Sequence, residues 1–91
     1  MGNKQIAVLV RDRQAEALRM SLGLLLLDHG VDVFVMDHPL ARTGDVALHL
    51  QTVREMEMKL YTNCGENEAM ECISTEEIAR RLPRYDHVLP Y

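Results

Sequence analysis

The sequence predicts an α/β fold: a small parallel β-sheet with helices on both faces, its elements running βαβαβαβ. Three observations carry this. Short apolar runs without clean alternation, led by Gln5-Ile6-Ala7-Val8-Leu9-Val10, have the pattern of strands covered on both sides. Segments of strong helix formers separate these runs. At 91 residues, with 47% apolar and 26% charged side chains, the chain has the make-up of one compact soluble domain over residues 1–91 and too little interior for a second core. Strands alternating with helices then call for right-handed crossovers.

The first strand closes at Arg11. Gln14 to His29 is rich in helix formers, and Gly30 offers the left-handed position at which helices commonly stop. Val31-Asp32-Val33-Phe34-Val35-Met36 is β-branched and aromatic, and it is bounded by Asp37-His38-Pro39, which a strand interior does not tolerate. After the loop Ala41-Arg42-Thr43-Gly44, Asp45 is the expected N-cap of a helix carrying Val46, Leu50, Val53 and Met56 and ending near Glu57. Met58-Lys59-Leu60-Tyr61-Thr62 reads as the third strand. Glu66 to Cys72 reads as a short helix. Ser74-Thr75-Glu76-Glu77 has the spacing of a capping box and opens a helix to Leu82, which Pro83 prevents from continuing. His87-Val88-Leu89 is the last, short strand.

The helix from residue 14 is too apolar to be satisfied by one partner. At 100° per residue, Leu24 and Leu26 lie about 200° apart, so no single stripe buries both along with Leu25 and Leu27. The sheet covers one side, and a second copy of the chain is the expected cover for the other.

Charge and targeting signals narrow the partners. A formal charge of −4 without a basic run offers no footprint for nucleic acid, which needs clustered Lys and Arg. The richest apolar stretch, Leu22 to Leu27, is far short of the roughly 20 residues of a membrane span. Met1-Gly2-Asn3-Lys4-Gln5 has no export-type pattern, and Ile6 stands where myristoylation wants Ser or Thr, so a cytoplasmic location is expected. Cys64 and Cys72 fit no zinc or CxxC spacing, and a reducing compartment argues against a structural disulfide.

Parallel α/β sheets place their working groups at the carboxyl ends of the strands. Here these are Arg11-Asp12-Arg13, Asp37-His38-Pro39, Asn63-Cys64-Gly65 and Pro90-Tyr91. With a strand order of 2-1-3-4, the first and third loops face each other where the order reverses, and Cys64 is placed beside Arg11 or Arg13. A thiol acts as a nucleophile in its thiolate form. A helix end contributes only about 0.3 to 1 kcal/mol at an exposed site, against about 1.4 kcal/mol per pKa unit, so ionisation calls for Arg11, Arg13 or His38 close by. Glu66 and Glu68 oppose it. Gly65 would leave the sulfur open to a partner.

Each of these residues also has a plainer reading. Cys64 can be a small buried hydrophobe at a strand end, Arg11 and Arg13 solvated charges, and His38 a strand cap. Cys72, beside Met70 and Ile73, is expected in the core. His29, His49 and His87 are scattered and make no ligand set, and Met56, Met58 and Met70 read as packing, so neither a metal nor a cofactor is expected. The chain has no GxGxxG or GxxxxGK[ST] phosphate cradle, no hydroxyl-rich loop for a flavin, and no acidic cluster of a phosphoacceptor, since Asp12 stands between arginines and Asn63 ends the third strand.

The opening IAVLV strand, the Ala- and Leu-rich helix ending in DHGVDVFVM, and KLYTNCG with a cysteine at the end of the third strand resemble the DsrE-type sulfur-relay family. The resemblance spans most of the chain. It implies a small α/β protein, usually an oligomer, in which the cysteine after the third strand carries sulfur as a persulfide between donor and acceptor proteins. Only Cys64 maps onto that position, with Arg11, Arg13, His38, Asn63 and Gly65 as the groups to stabilise the anionic sulfur. The chain departs from the pattern at Glu55-Met56-Glu57-Met58, where a glycine-containing turn is more usual, and some members lack a working cysteine. The alternative is a non-catalytic oligomeric subunit or small-ligand binding module in which Cys64 only packs.

Overall fold

In the computed structural model, which describes residues 4–67 and 70–91, five parallel strands form one sheet in the order β4-β3-β2-β1-β5. Along the chain, β1 (Gln5–Val10), α1 (Gln14–Leu26), β2 (Gly30–Val35), α2 (Gly44–Glu55) and β3 (Lys59–Thr62) are followed by β4 (Glu71–Cys72), α3 (Thr75–Arg81), a 3-10 turn (Leu82–Arg84) and β5 (His87–Pro90). The α/β class with helices on both faces is as expected.

Alternation along the strands divides the core in two. Ile6, Val8, Val10, Val31, Val33, Val35 and Leu60 point to the side covered by α1 and α2, where they meet Ala17, Leu18, Val46 and Val53. Ala7, Leu9, Phe34, Met36 and Tyr61 point the other way and meet Ile78 of α3. The register pairs Val8 with Val33 and Val33 with Leu60, so side chains of one kind form rows across the sheet.

Both long helices end in the same device. After α1, the N–H of Asp28 donates to Leu25 O and that of His29 to Leu24 O, with Asp28 left-handed at φ 65°. After α2, the N–H of Glu57 donates to Arg54 O and that of Met58 to Val53 O, with Glu57 at φ 58°. This corrects the expectation for Gly30, which has no positive φ and opens β2 instead. The short Asp side chain tolerates the left-handed region, so the helix stops before the glycine is reached. The cap of α2 is likewise Thr43, whose Oγ1 accepts from Val46 N at 3.5 Å, with Asp45 in the first turn. Ser74 caps α3 as the sequence predicts, accepting from Glu77 N at 3.0 Å.

Two further expectations are overturned. The third strand pairs with β2, not β1, so the order is not 2-1-3-4. The segment from Glu66 to Cys72 is not a helix: Glu66 and Asn67 lie in a turn, residues 68 and 69 fall outside the described residues, and Glu71–Cys72 is a strand paired with Tyr61 and Thr62. Cys72 is therefore exposed on an edge strand instead of buried in a core. The helix formers of this stretch are outweighed by hydrogen bonds that only distant loops supply, described below.

Candidate functional site

The carboxyl ends of β1, β2 and β3 and the start of α3 are joined by a chain of polar contacts. Arg11 Nε lies buried 3.4 Å from Asp37 Oδ2, an ion pair whose alignment falls short of a hydrogen bond. Asp37, left-handed at φ 69°, donates its N–H to Asn63 Oδ1 at 2.7 Å and accepts from Asn63 Nδ2 at 3.1 Å. Asn63 Nδ2 also donates to Thr75 Oγ1 at 2.9 Å. One asparagine thus ties the ends of β2 and β3 to the first turn of α3.

Asn67 does the same on the side toward α2. It is buried, and its amide uses both ends: Oδ1 accepts from Leu40 N at 2.8 Å, while Nδ2 donates to His38 O at 3.2 Å and to Thr62 Oγ1 at 3.0 Å. Thr62 Oγ1 in turn accepts from Cys64 N at 3.0 Å, and Asn67 N donates to Cys64 O at 3.1 Å. These bonds hold the turn over residues 64–67 closed. A buried side-chain amide must find such partners, and only the neighbouring loop provides them.

Within that turn Cys64 is a free, half-buried thiol, followed by exposed Gly65, around which a side chain would meet nothing within 4 Å. The cations named from the sequence are brought to the same rim, each against another group, and none is hydrogen-bonded to the sulfur. Arg11 holds Asp37, His38 Nε2 lies 3.7 Å from Asp12 Oδ1, and Arg13 pairs with Glu16 at 3.2 Å while its guanidinium stands 5.5 Å over the Tyr91 ring. The Cys64 backbone is bonded to Thr62, while its sulfur makes no hydrogen bond among the described residues. With β2 between β1 and β3, their carboxyl ends stand about 10 Å apart at the usual strand spacing, so the neighbour of the Cys64 loop is the loop after β2.

Beside this turn an open groove of about 470 Å³ runs between α2 and the loops after β2 and β3, with Leu40, Leu50 and Met70 among its apolar walls and Arg42, Glu66 and Asn67 at its polar edge. Among the described residues no group of three or more His, Cys, Asp or Glu is placed to hold a metal ion, and no helix is long and apolar enough to cross a membrane.

The clearest electrostatic perturbations lie away from the rim, under α3. Burial pushes the Tyr85 hydroxyl up, and its hydrogen bond to the Asp32 carboxylate adds to the shift. The hydrogen bond from Arg81 holds the Glu77 carboxyl below its ordinary value, and Glu77 raises Arg81 in return. The sequence places Asp37 in a rim loop and Thr75 in a capping box but gives neither a role at the site, and it does not single out Thr62 or Asn67. Short polar side chains favour turns over helix interiors, and Asn67 inside a stretch read as helix was the available signal.

Comparison of the chain with family models, curated proteins and solved structures finds no match. The functional reading therefore rests on the site itself and on the sequence resemblance.

Proposed function

We propose that this protein is a small sulfur carrier, as its resemblance to the DsrE-type family implies, with Cys64 as the residue that holds sulfur and the reducing cytoplasm as its place of action. One observation carries the reading: the chain presents a free, partly exposed thiol at the carboxyl end of β3, in a turn whose backbone is fixed by Thr62 and Asn67 and whose next residue is an unobstructed glycine. A thiol carried on a fixed backbone has less to reorganise when it meets a partner's sulfur.

The exchange conserves atoms and electrons. The Cys64 thiolate attacks the outer sulfur of a donor persulfide, a new S–S bond forms at Cys64 Sγ, the donor's own S–S bond breaks, and the donor leaves as a thiolate. An acceptor thiolate then attacks the outer sulfur of the Cys64 persulfide, and Cys64 departs as the thiolate. The proposed partners are donor and acceptor proteins and, for assembly, a second copy of this chain.

A second reading is favoured by the ion pairs. Arg11, Arg13 and His38 each face a carboxylate, which leaves Cys64 without a dedicated cation, as in a non-catalytic subunit or binding module of the same fold. Treatment with a small persulfide donor followed by peptide mass measurement separates the two. The carrier gains one sulfur atom on Cys64, loses it in Cys64→Ser, and keeps it in Cys72→Ser. Because Cys72 is the more exposed thiol, equal labelling of both residues, or none at Cys64, rejects the carrier.

A further inference from the structure

The groove beside the Cys64 turn, at about 470 Å³, has the size of a small-molecule site, which commonly falls between about 300 and 1,000 Å³. Its place follows from the topology. α2 forms the crossover from β2 to β3, whereas the connection from β3 to β4 supplies no helix among the described residues to cover the next strip of the same face. Leu40, Leu50 and Met70 are only partly buried against the α1/α2 core, and the sides they leave uncovered wall the groove.

The end of the groove at the sheet rim is both fixed and charged. Asn67 accepts from Leu40 N at 2.8 Å and donates to His38 O, so the loops after β2 and β3 meet there in one joint. Arg42 follows that joint on one loop and Glu66 precedes it on the other, both exposed and both lining the groove. Neither makes an ion pair, with the other or with any other described residue, while Arg54 on the α2 wall already has an interaction of its own. One positive and one negative charge thus stand unpaired at the head of an apolar trough. An apolar acid would be repelled by Glu66 and an apolar amine by Arg42; a ligand that carries both charges on neighbouring atoms satisfies both.

We propose that this groove binds a free α-amino acid with a large apolar side chain. The Arg42 guanidinium, whose planar fork matches a carboxylate, receives the α-carboxylate, and Glu66 receives the ammonium. The ligand's side chain lies along Leu40, Leu50 and Met70. Because the unbranched Met70 adapts to differently shaped neighbours, the groove selects the class, such as leucine, methionine and phenylalanine, over one member of it. The inference goes beyond the carrier reading and does not require Cys64 to react.

Calorimetric titration of the full chain with L-leucine and L-methionine tests it. Saturable binding of one molecule per chain is expected. N-acetyl-L-leucine, which lacks the ammonium, and L-leucinamide, which lacks the carboxylate, should each bind about tenfold or more weakly, and glycine, with no apolar body, should not bind. Arg42→Gln and Glu66→Gln should each weaken L-leucine binding by a similar factor with unchanged circular dichroism. Arg42→Gln should not weaken L-leucinamide further, nor Glu66→Gln N-acetyl-L-leucine. Ala47→Phe, at an exposed position of α2, should fill the groove and abolish binding. No binding of either amino acid, N-acetyl-L-leucine binding as tightly as L-leucine, or indifference to both Arg42→Gln and Glu66→Gln overturns the proposal. Cys64→Ser should bind L-leucine as the native chain does while taking up no sulfur, so failure of the groove and failure of the carrier chemistry are distinguishable.

Discussion

The two faces of the sheet solve the same burial problem with different means. On the α1/α2 face, two helices of 13 and 12 residues cover rows of Val, Ile and Leu, and close packing of aliphatic groups is sufficient. On the other face a single seven-residue helix and a 3-10 turn must cover the same strands. Bulk replaces backbone there. Three of the four aromatic residues collect on this side: Phe34 stacks on Tyr61 at 5.0 Å and meets Tyr85 edge-on at 5.8 Å, while Arg81 lies 4.9 Å over the Tyr61 ring. Rings that large bring polar tips, which is why Tyr85 needs Asp32. A thin cover makes the α3 face depend on a few large, specific contacts, where the other face depends on many small ones.

The largest effect expected of that difference is at Phe34. Phe34→Ala removes the ring that both tyrosines rest on and should cost about 3 to 5 kcal/mol in urea unfolding, against about 2 to 5 kcal/mol for Leu18→Ala on the aliphatic face. Leu18→Ala proving clearly the more damaging would mean that the α3 face is the lesser half of the core.

Next comes the polar tip. Tyr85→Phe leaves Asp32 partly buried without its donor and should cost about 1 to 3 kcal/mol. The same pair has a pH signature. Tyr85 holds its proton more tightly when folded, so its contribution is complete below the unfolded value of 10.0 and declines as pH rises past it, when only the unfolded chain gives up the proton. Unfolding midpoints compared between about pH 9 and pH 11 should fall more steeply for the native chain than for Tyr85→Phe; parallel slopes would remove the basis of the effect.

The smallest effects are at the caps. Ser74→Ala should cost about 1 kcal/mol, since its bond to Glu77 N is short at 3.0 Å and α3 is the one helix over its face. Thr43→Ala, losing a longer bond of 3.5 Å on a face with two helices, should cost less. Thermal midpoints in the reverse order would show that the two covers share their load differently.

Much of this arrangement is readable along the chain. β-Branched runs mark the strands, Ser74-Thr75-Glu76-Glu77 and Pro83 bracket α3, and the division of Ile6, Val8 and Val10 from Ala7 and Leu9 follows from side-chain alternation. At the candidate site the sequence marks Cys64, Asn63 and the flanking cations as residues of the same rim. It does not reveal that Asn63 binds Asp37 and Thr75, or that Asn67 leaves a helix to bridge His38, Leu40 and Thr62.

By itself, then, the sequence determined β1, α1, β2, α2, β3, α3 and β5 as elements, though not the turn and strand over Glu66 to Cys72, because local conformation is set mainly by residues a few positions apart. Only the tertiary structure decided that β3 lies beside β2, that Cys64 therefore neighbours the Asp37 loop and not Arg11, and that Cys72 stands on an exposed edge. The reason is physical: periodicity encodes a direction relative to the sheet, whereas strand order depends on hydrogen bonds and packing between segments far apart in the chain, which leave no local mark.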